Sequence, residues 1–338
     1  YNGIRTQKGG RTTERTGILS LFGGLALFLF GMDRMSEALQ QAAGERLRRA
    51  LAALTRTPLT GALAGMVVTA VMQSSSATTV MVIGFVSAGL LELPQAVAVI
   101  FGANIGTTVT AQLLAFRVEE MLGLVLFGGF FLCAVARTKR GRQMGTAVFS
   151  FGLLFAGMEQ IQSVVEPLAL RPEFEAWMAQ VREKPLWGLL LGLGMTLVVQ
   201  SSSATIGVLQ GVARQAGPDG VHSLLGLAGA VPVLLGDNVG TTITAILAAA
   251  GGTRDAKRAA AAHCCFNLSG SLVCLLALPW FVRLVELLPP EGEELEIIAR
   301  QIANAHTLFN ALCTLIWLPL TPLMVRLVTT LVPEKRTE

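Results

Sequence analysis

Gln73-Ser74-Ser75-Ser76-Ala77-Thr78 decides how this chain is read, because it returns as Gln200-Ser201-Ser202-Ser203-Ala204-Thr205, 127 residues later. Each copy lies in a run without Asp, Glu, Lys or Arg, residues 57–91 and 185–213. Hydrocarbon cannot satisfy an amide and three hydroxyls, so these groups must face protein, water or a bound solute.

Only 14% of the 338 residues are charged, against about 25% in soluble domains. Further charge-free runs cover 93–116, 121–136, 143–158, 238–253, 259–282 and 301–325. A helix needs roughly 20 apolar residues to cross a bilayer. Some runs reach that length and others stop short. The pattern predicts an all-α polytopic membrane protein in which some helices are broken or end part-way. The net charge of +4 is small, and basic residues cluster at Arg46, Arg48, Arg49 and Arg56, at Arg137 to Arg142, and at Arg254, Lys257 and Arg258. These read as cytoplasmic loops. No aromatic interleaving points to nucleic acid. A basic tail (Arg5, Lys8, Arg11, Arg15) would fall on the opposite face from Arg46–Arg56 if 17–32 crosses once. The five cysteines lie in apolar runs without C-x-x-C spacing and read as free thiols.

Two more motifs repeat in the same order. Gly31 in Phe30-Gly31-Met32-Asp33 corresponds to Gly157 in Ala156-Gly157-Met158-Glu159. Gly102-Ala103-Asn104-Ile105-Gly106-Thr107-Thr108-Val109-Thr110 corresponds to Gly236-Asp237-Asn238-Val239-Gly240-Thr241-Thr242-Ile243-Thr244. The offsets, 126, 127 and 134 residues, define an internal duplication. Repeat one covers about 17–135 and repeat two about 145–253, inside a single transport domain spanning 1–338, with extra C-terminal helices at about 254–331. Duplicated halves are typical of secondary transporters, whose site lies at the repeat interface.

Leu59 to Met72 is 14 residues, about 21 Å as a helix and too short to span alone. Either a re-entrant hairpin with Gln73–Ser76 at its tip or one long helix unwound there would fit, and the hairpin is favoured. Gly-x-Asn-x-Gly is poor helix, and Thr-Thr can cap a new start, so a second break is expected in each half. Each half would then aim two helix N-termini into the membrane, where free N–H groups attract anions.

The residue types suit an oxyanion together with a hard cation. Ser and Thr hydroxyls and turned N–H groups donate to anion oxygens, while Gln, Asn and Thr oxygens ligate a small cation. Asp237 is the only formally charged residue between Gly220 and Thr253, where the first half has Ala103. An intramembrane carboxylate reads as functional, holding Na+ or a proton. His263 with Asn267, and His306 with Asn310, are i,i+4 pairs that read as interhelical hydrogen-bonders near the membrane edge. A metal site built from His263, Cys264 and Cys265 lacks ligand spacing. A hydrolase using one Ser with His263 or His306 is the alternative of another class. The duplication of the whole hydroxyl cluster argues against it and for a protein that is not an enzyme.

At these residues the chain resembles the type II sodium-dependent phosphate cotransporter family, prokaryotic branch, over about 17–325. The resemblance rests on Gln73–Thr78, Gly89-Leu90-Leu91-Glu92 leading to Gly102–Thr108, Gln200–Thr205, and Gly236–Thr242 leading to Arg258 and His263–Asn267. It implies two inverted repeats with re-entrant hairpins, and Na+-coupled symport of inorganic phosphate across a cell membrane, the bacterial inner membrane, by alternating access. Phosphate would be held by Ser74, Ser75, Ser76, Asn104, Ser201, Ser202, Ser203 and Asn238. Sodium would be held by Gln73, Thr107, Thr108, Gln200, Thr241, Thr242 and Asp237, a division that follows oxygen chemistry. The implied partners are phosphate, sodium ions and membrane lipid, with no cofactor beyond the coupling ion and no assigned oligomeric state. Asp237 departs from the small residue usual in the family, which leaves cation number and charge balance open; the runner-up is the same machine carrying another oxyanion, such as arsenate or sulfate, or driven by H+ through Asp237. No PhoU-like soluble domain follows in these residues, so regulation through one is not expected.

Overall fold

The computed structural model describes residues 19–43, 55, 57–116, 121–169 and 171–334; the basic tail and the Arg46–Arg56 cluster lie outside them. Helix α1 is Leu19–Ala43. Repeat one continues with α2 (Pro58–Met72), α3 (Ser75–Ser87), α4 (Leu93–Leu114) and α5 (Leu122–Val135). Then come α6 (Lys139–Ala169), α7 (Pro172–Glu183), α8 (Pro185–Val199), α9 (Ser202–Ala213), α10 (Gly226–Gly240) and α11 (Thr242–Ala249). The chain closes with α12 (Arg254–Leu276), α13 (Leu278–Glu286), α14 (Glu294–Trp317) and α15 (Thr321–Leu331). The polar stretch 171–185 is therefore largely the helix α7.

Among the described residues, α1, α4, α6, α12 and the pair α10–α11 are long and apolar enough to cross a membrane; α14 with α15 would be a sixth span, bent by 88°. Helix α5 shows Leu124, Phe127, Phe130 and Phe131 to the outside, a surface that suits lipid and not water. The chain is an all-α, multi-pass protein of the cell membrane.

Local chemistry sets the helix starts. Thr57 caps α2 by accepting from Thr60 N at 3.2 Å, with Pro58 at the first helical position. Thr253 caps α12 in the same way through Ala256 N.

The strongest packing joins α2 to α4 and α8 to α10, and both pairs run parallel. Gly61 lies on Ala98, Gly65 on Val99 and Gly106 on Met66; Gly188 lies on Pro232 and Gly240 on Thr196. A Cβ at Gly102 would collide with the Ala62 carbonyl, and one at Gly236 with that of Leu189, so only glycine permits this approach. Since α2 and α4 are parallel, α3 must carry the chain back between them. The unit α2–α3 is thus a hairpin, and α8–α9 is another.

Helix α4 differs from expectation. It runs unbroken through Asn104–Thr108, and in repeat two only Thr241 interrupts the path from α10 to α11. The threonine hydroxyls bond back to carbonyls three residues earlier, Thr108 to Ile105 O within α4 and Thr242 to Val239 O at the end of α10, both at 2.8 Å. The glycines of this motif serve the close approach of α2 and α8 instead of ending a helix. Each half therefore offers one inward helix N-terminus at its hairpin.

The halves are inverted. Glu294 sits beside Gly226, and His306 bonds Asn238, so α14 is parallel to α10. Thr314 bonds Phe101 O, and Thr307 and Asn304 meet Gln112, so α14 is antiparallel to α4. Hence α4 and α10 point in opposite directions. The glycines of the first repeated motif each seat the partner helix of the antiparallel pair α1 and α6: Gly31 lies against Ser150 and Leu154, and Gly157 against Gly24 and Phe28.

Helix α12 opposes α10, through Ser271 to Leu235 O and Cys264 to Thr242. Helix α6 runs with α9, since Gly157 shares Phe28 with Gly207 and Gln162 meets Gly211. Helices α6 and α12 therefore begin on one face, which carries both described basic clusters. By the positive-inside bias this face is cytoplasmic.

Candidate functional site at the two hairpin tips

Gln73 and Gln200 are the two non-glycine residues with positive φ among those described, 53° and 55°. Each ends the outward arm of its hairpin in the left-handed conformation. The next residue is extended and caps the return arm: Ser74 Oγ accepts from Ala77 N at 3.2 Å, and Ser201 Oγ from Ala204 N at 3.3 Å. The remaining first-turn N–H groups of α3 and α9 lack intrahelical acceptors. Ser75 and Ser202 are buried, and Ser76 and Ser203 are half-buried.

A hydroxyl pair braces each tip from behind. Thr69 bonds Thr78 at 2.9 Å in the first hairpin, and Thr196 bonds Thr205 at 3.0 Å in the second. Both return hydroxyls also reach the cap carbonyl, Thr78 to Ser74 O at 3.2 Å and Thr205 to Ser201 O at 3.3 Å. Thr78 and Thr205 close the repeated motif itself, so the sequence held this signal; Thr69 and Thr196, at the same repeat offset, went unnoticed.

The glutamines are not equivalent. Gln73 is buried, donates to Ala70 O and accepts from Thr110 Oγ1 at 2.9 Å. Gln200 is exposed. Thr244, the repeat counterpart of Thr110, instead reaches across the halves to Ser76 Oγ at 3.4 Å. Helix α1 also touches the first tip, through Ser36 Oγ to Met72 O at 2.8 Å.

Asn104 and Asn238 sit in clasps. Asn104 Oδ1 accepts from His263 Nε2 at 3.2 Å and Asn267 Nδ2 at 3.4 Å, while its Nδ2 donates to Ile100 O. Asn238 repeats this with His306 at 3.3 Å, Asn310 at 3.4 Å and Leu234 O. Both acceptor positions of each side-chain oxygen are filled, and one amide N–H is left over. The histidines lie deep between helices and not at the membrane edge, because their partners are mid-helix asparagines.

Among the threonines, Thr107, Thr108, Thr241 and Thr242 are buried, with the Thr108 hydroxyl bonded within α4 and those of Thr241 and Thr242 bonded to carbonyls of α10. Asp237 is fully buried, and its Oδ1 accepts from Thr196 at 2.6 Å. The carboxylate is thus wired to the brace of the second tip. In the first half Ala103 occupies this place, and Thr69 has no acid to serve.

The profile of the family described as Na+/Pi-cotransporter matches residues 27–163 and 165–311. The chain belongs to the Na+/Pi-cotransporter family. It is 34% identical over 275 residues to YqeW of Bacillus subtilis, covering 81% of this chain and 87% of that protein. It is 28% identical over 258 residues to the putative inorganic phosphate export protein YjbB of Escherichia coli K12, covering 76% of this chain and 46% of YjbB. A shorter stretch of 97 residues is 38% identical to the sodium-dependent phosphate transport protein 2A of Rattus norvegicus, covering 28% and 15% of the two chains. No solved structure matches the chain.

Proposed function

We propose that this member of the Na+/Pi-cotransporter family carries inorganic phosphate across the membrane together with Na+, by alternating access of the two inverted halves around the hairpin tips. The observation that carries the reading is the pairing of tips. Two inverted hairpins each present three serines at the N-terminus of a return helix, and Ser76 of one meets Thr244 of the other half.

Phosphate oxygens would take the hydroxyls of Ser74, Ser75, Ser76, Ser201, Ser202 and Ser203 and the open N–H groups of α3 and α9. Asn104 and Asn238 would contribute at most their spare amide protons. The cation would use Gln73, Gln200 and the threonines. No Arg or Lys lies within the hairpins. A co-bound cation would therefore supply the compensating charge, which is the physical basis for coupling.

The test is flux of radiolabelled phosphate in proteoliposomes, with a Na+ gradient set against an equal K+ gradient. Phosphate should move only when Na+ is present. Equal flux with K+ would remove Na+ as the coupling ion. No flux in either direction, under any ion gradient and with correctly inserted protein, would remove phosphate. YjbB is named a putative phosphate exporter, so efflux is measured as well as uptake, because direction follows the imposed gradients.

A further inference from the structure

The two halves pack in the same way but are not tied in the same way. Helix α9 runs from the second tip toward the face opposite the basic clusters. Helix α4 ends at that face, α14 begins there, and the three pack against one another. The last turns of α4 are held by donors from both neighbours. Gln210 on α9, 0% exposed, donates through Nε2 to Ala111 O at 3.1 Å and to Ala299 O of α14 at 3.0 Å. Arg214 Nη2 donates to Ala115 O at 3.2 Å. Arg300 on α14 donates through Nη1 to Gln112 O at 3.3 Å and to Gln112 Oε1 at 2.7 Å, and its guanidinium lies 4.3 Å from the centre of the Phe116 ring. Gln112 Nε2 in turn donates to Asn304 Oδ1 at 3.2 Å and to Thr307 Oγ1 at 3.1 Å. Cations at the carbonyls of a helix C-terminus are favoured by hydrogen bonding and by the helix dipole alike.

The cytoplasmic face has the same helices in repeat-related places, α3 for α9, α11 for the end of α4 and α12 for α14, and they also pack together. Yet Ile83 stands for Gln210, Ile246 for Gln112 and Ala261 for Asn304. These side chains cannot hydrogen-bond, and Lys257, in the place of Arg300, has no glutamine opposite it. An exact inverted repeat would carry the same tie at both faces, and this chain carries it at one.

We propose that Gln112, Gln210 and Arg300 are positioning residues of the transport cycle, forming the gate that closes the extracytoplasmic route to the second tip. Gln210 lies eight residues beyond Ser202, about 12 Å along α9, so the tie shuts the route just past the tip. Helix α4 belongs to repeat one and α9 to repeat two, and the tip can face that side only when they part. The gate is built to break. Gln210 Oε1 has no partner among the described residues, a cost that water entering an open gate would relieve. The cytoplasmic counterpart has no such tie to release, so the resting chain favours closure to the outside.

This inference rests on the transport reading only in taking the tips to open by turns, and its test uses neither phosphate nor flux. In a background without native cysteines, Ser203→Cys is the probe at the second tip. Its rate of reaction with a membrane-impermeant thiol reagent is measured in right-side-out and in inverted vesicles, with and without Arg300→Met or Gln210→Leu. Each change should raise the ratio of the outer to the inner rate by about tenfold. Thr307→Val removes a single acceptor of Gln112 and takes their place if either variant fails to fold; its ratio should rise about threefold. An unchanged ratio overturns the gate, whatever happens to the unfolding midpoint. Rates that rise equally from both faces, as a loosened structure would give, overturn it too. A raised ratio in a chain that moves no phosphate keeps the gate and fails only the substrate reading.

Discussion

His263 on α12 holds Asn104 on α4 through Nε2 at 3.2 Å, and His306 on α14 repeats the contact on Asn238 of α10 at 3.3 Å. The helices that follow the second repeat therefore grip both halves at the same residue of the same motif. Removing the shared acceptor orphans two buried donors at once. Asn104→Leu and Asn238→Leu should each cost about 1–3 kcal/mol, read as a lowered unfolding midpoint in detergent. Unchanged midpoints in both would show that the clasps hold nothing.

Glycine at 102 and 236 is a packing requirement. Gly102→Val and Gly236→Val should prevent α2 from seating on α4 and α8 on α10, and little folded protein should be recovered. Gly84→Ala is the control, because a Cβ there meets nothing within 4 Å. It should be neutral, or stabilising by about 0.5–1 kcal/mol as expected for a helix-interior glycine. Folded yields of the valine variants that match the native chain would contradict the close approach.

Two tips sharing one substrate predict equal dependence on both. Ser75→Ala and Ser202→Ala should each lower phosphate flux by about tenfold, the equivalent of roughly 1.4 kcal/mol of lost hydrogen bonding. A protein using one serine as a nucleophile would respond to one of the two changes and ignore the other. Flux measured in parallel on both variants separates these outcomes.

Helix directions predict sidedness. In a background without native cysteines, Arg140→Cys and Lys257→Cys should react with a membrane-impermeant thiol reagent from one side. Asp219→Cys and Glu291→Cys should react from the other. Labelling of all four from the same side would refute the inverted arrangement.

The loop between α9 and α10 carries an exposed pair, Asp219 Oδ2 at 2.6 Å from His222 Nδ1. The hydrogen bond that His222 donates to Asp219, and then the Asp219 charge, raise the His222 pKa above the usual 6.5. Backbone N–H groups of His222 and Val221 hold the Asp219 carboxyl below its ordinary range. A raised folded-state value means the pairing contributes fully below about pH 6.5 and is lost as pH rises through the folded pKa. An NMR titration of His222 should show the elevated value, and Asp219→Asn should bring it back toward 6.5. No difference between the two titrations would dismiss the pair.

The amino-acid sequence by itself determined the membrane class and the paired motifs, and it favoured a hairpin over an unwound helix at each Gln-Ser-Ser-Ser without deciding between them. Those follow from local rules: charge-free runs cannot be solvated loops, and a Gln-Ser-Ser-Ser turn in a segment too short to span leaves few alternatives. It misjudged Gly102–Thr108, because glycine and threonine there are weak helix residues in isolation. Only in the fold do they become the contact surface that α2 needs, with the hydroxyls turned back onto their own helix. It also could not place His263 or His306. Spacing of i,i+4 fixes a helix face but says nothing about a partner 159 positions away in sequence. Tertiary structure likewise decided that Asp237 meets Thr196 and, through it, the second tip, because that contact depends on α8 and α10 running parallel at glycine-limited distance.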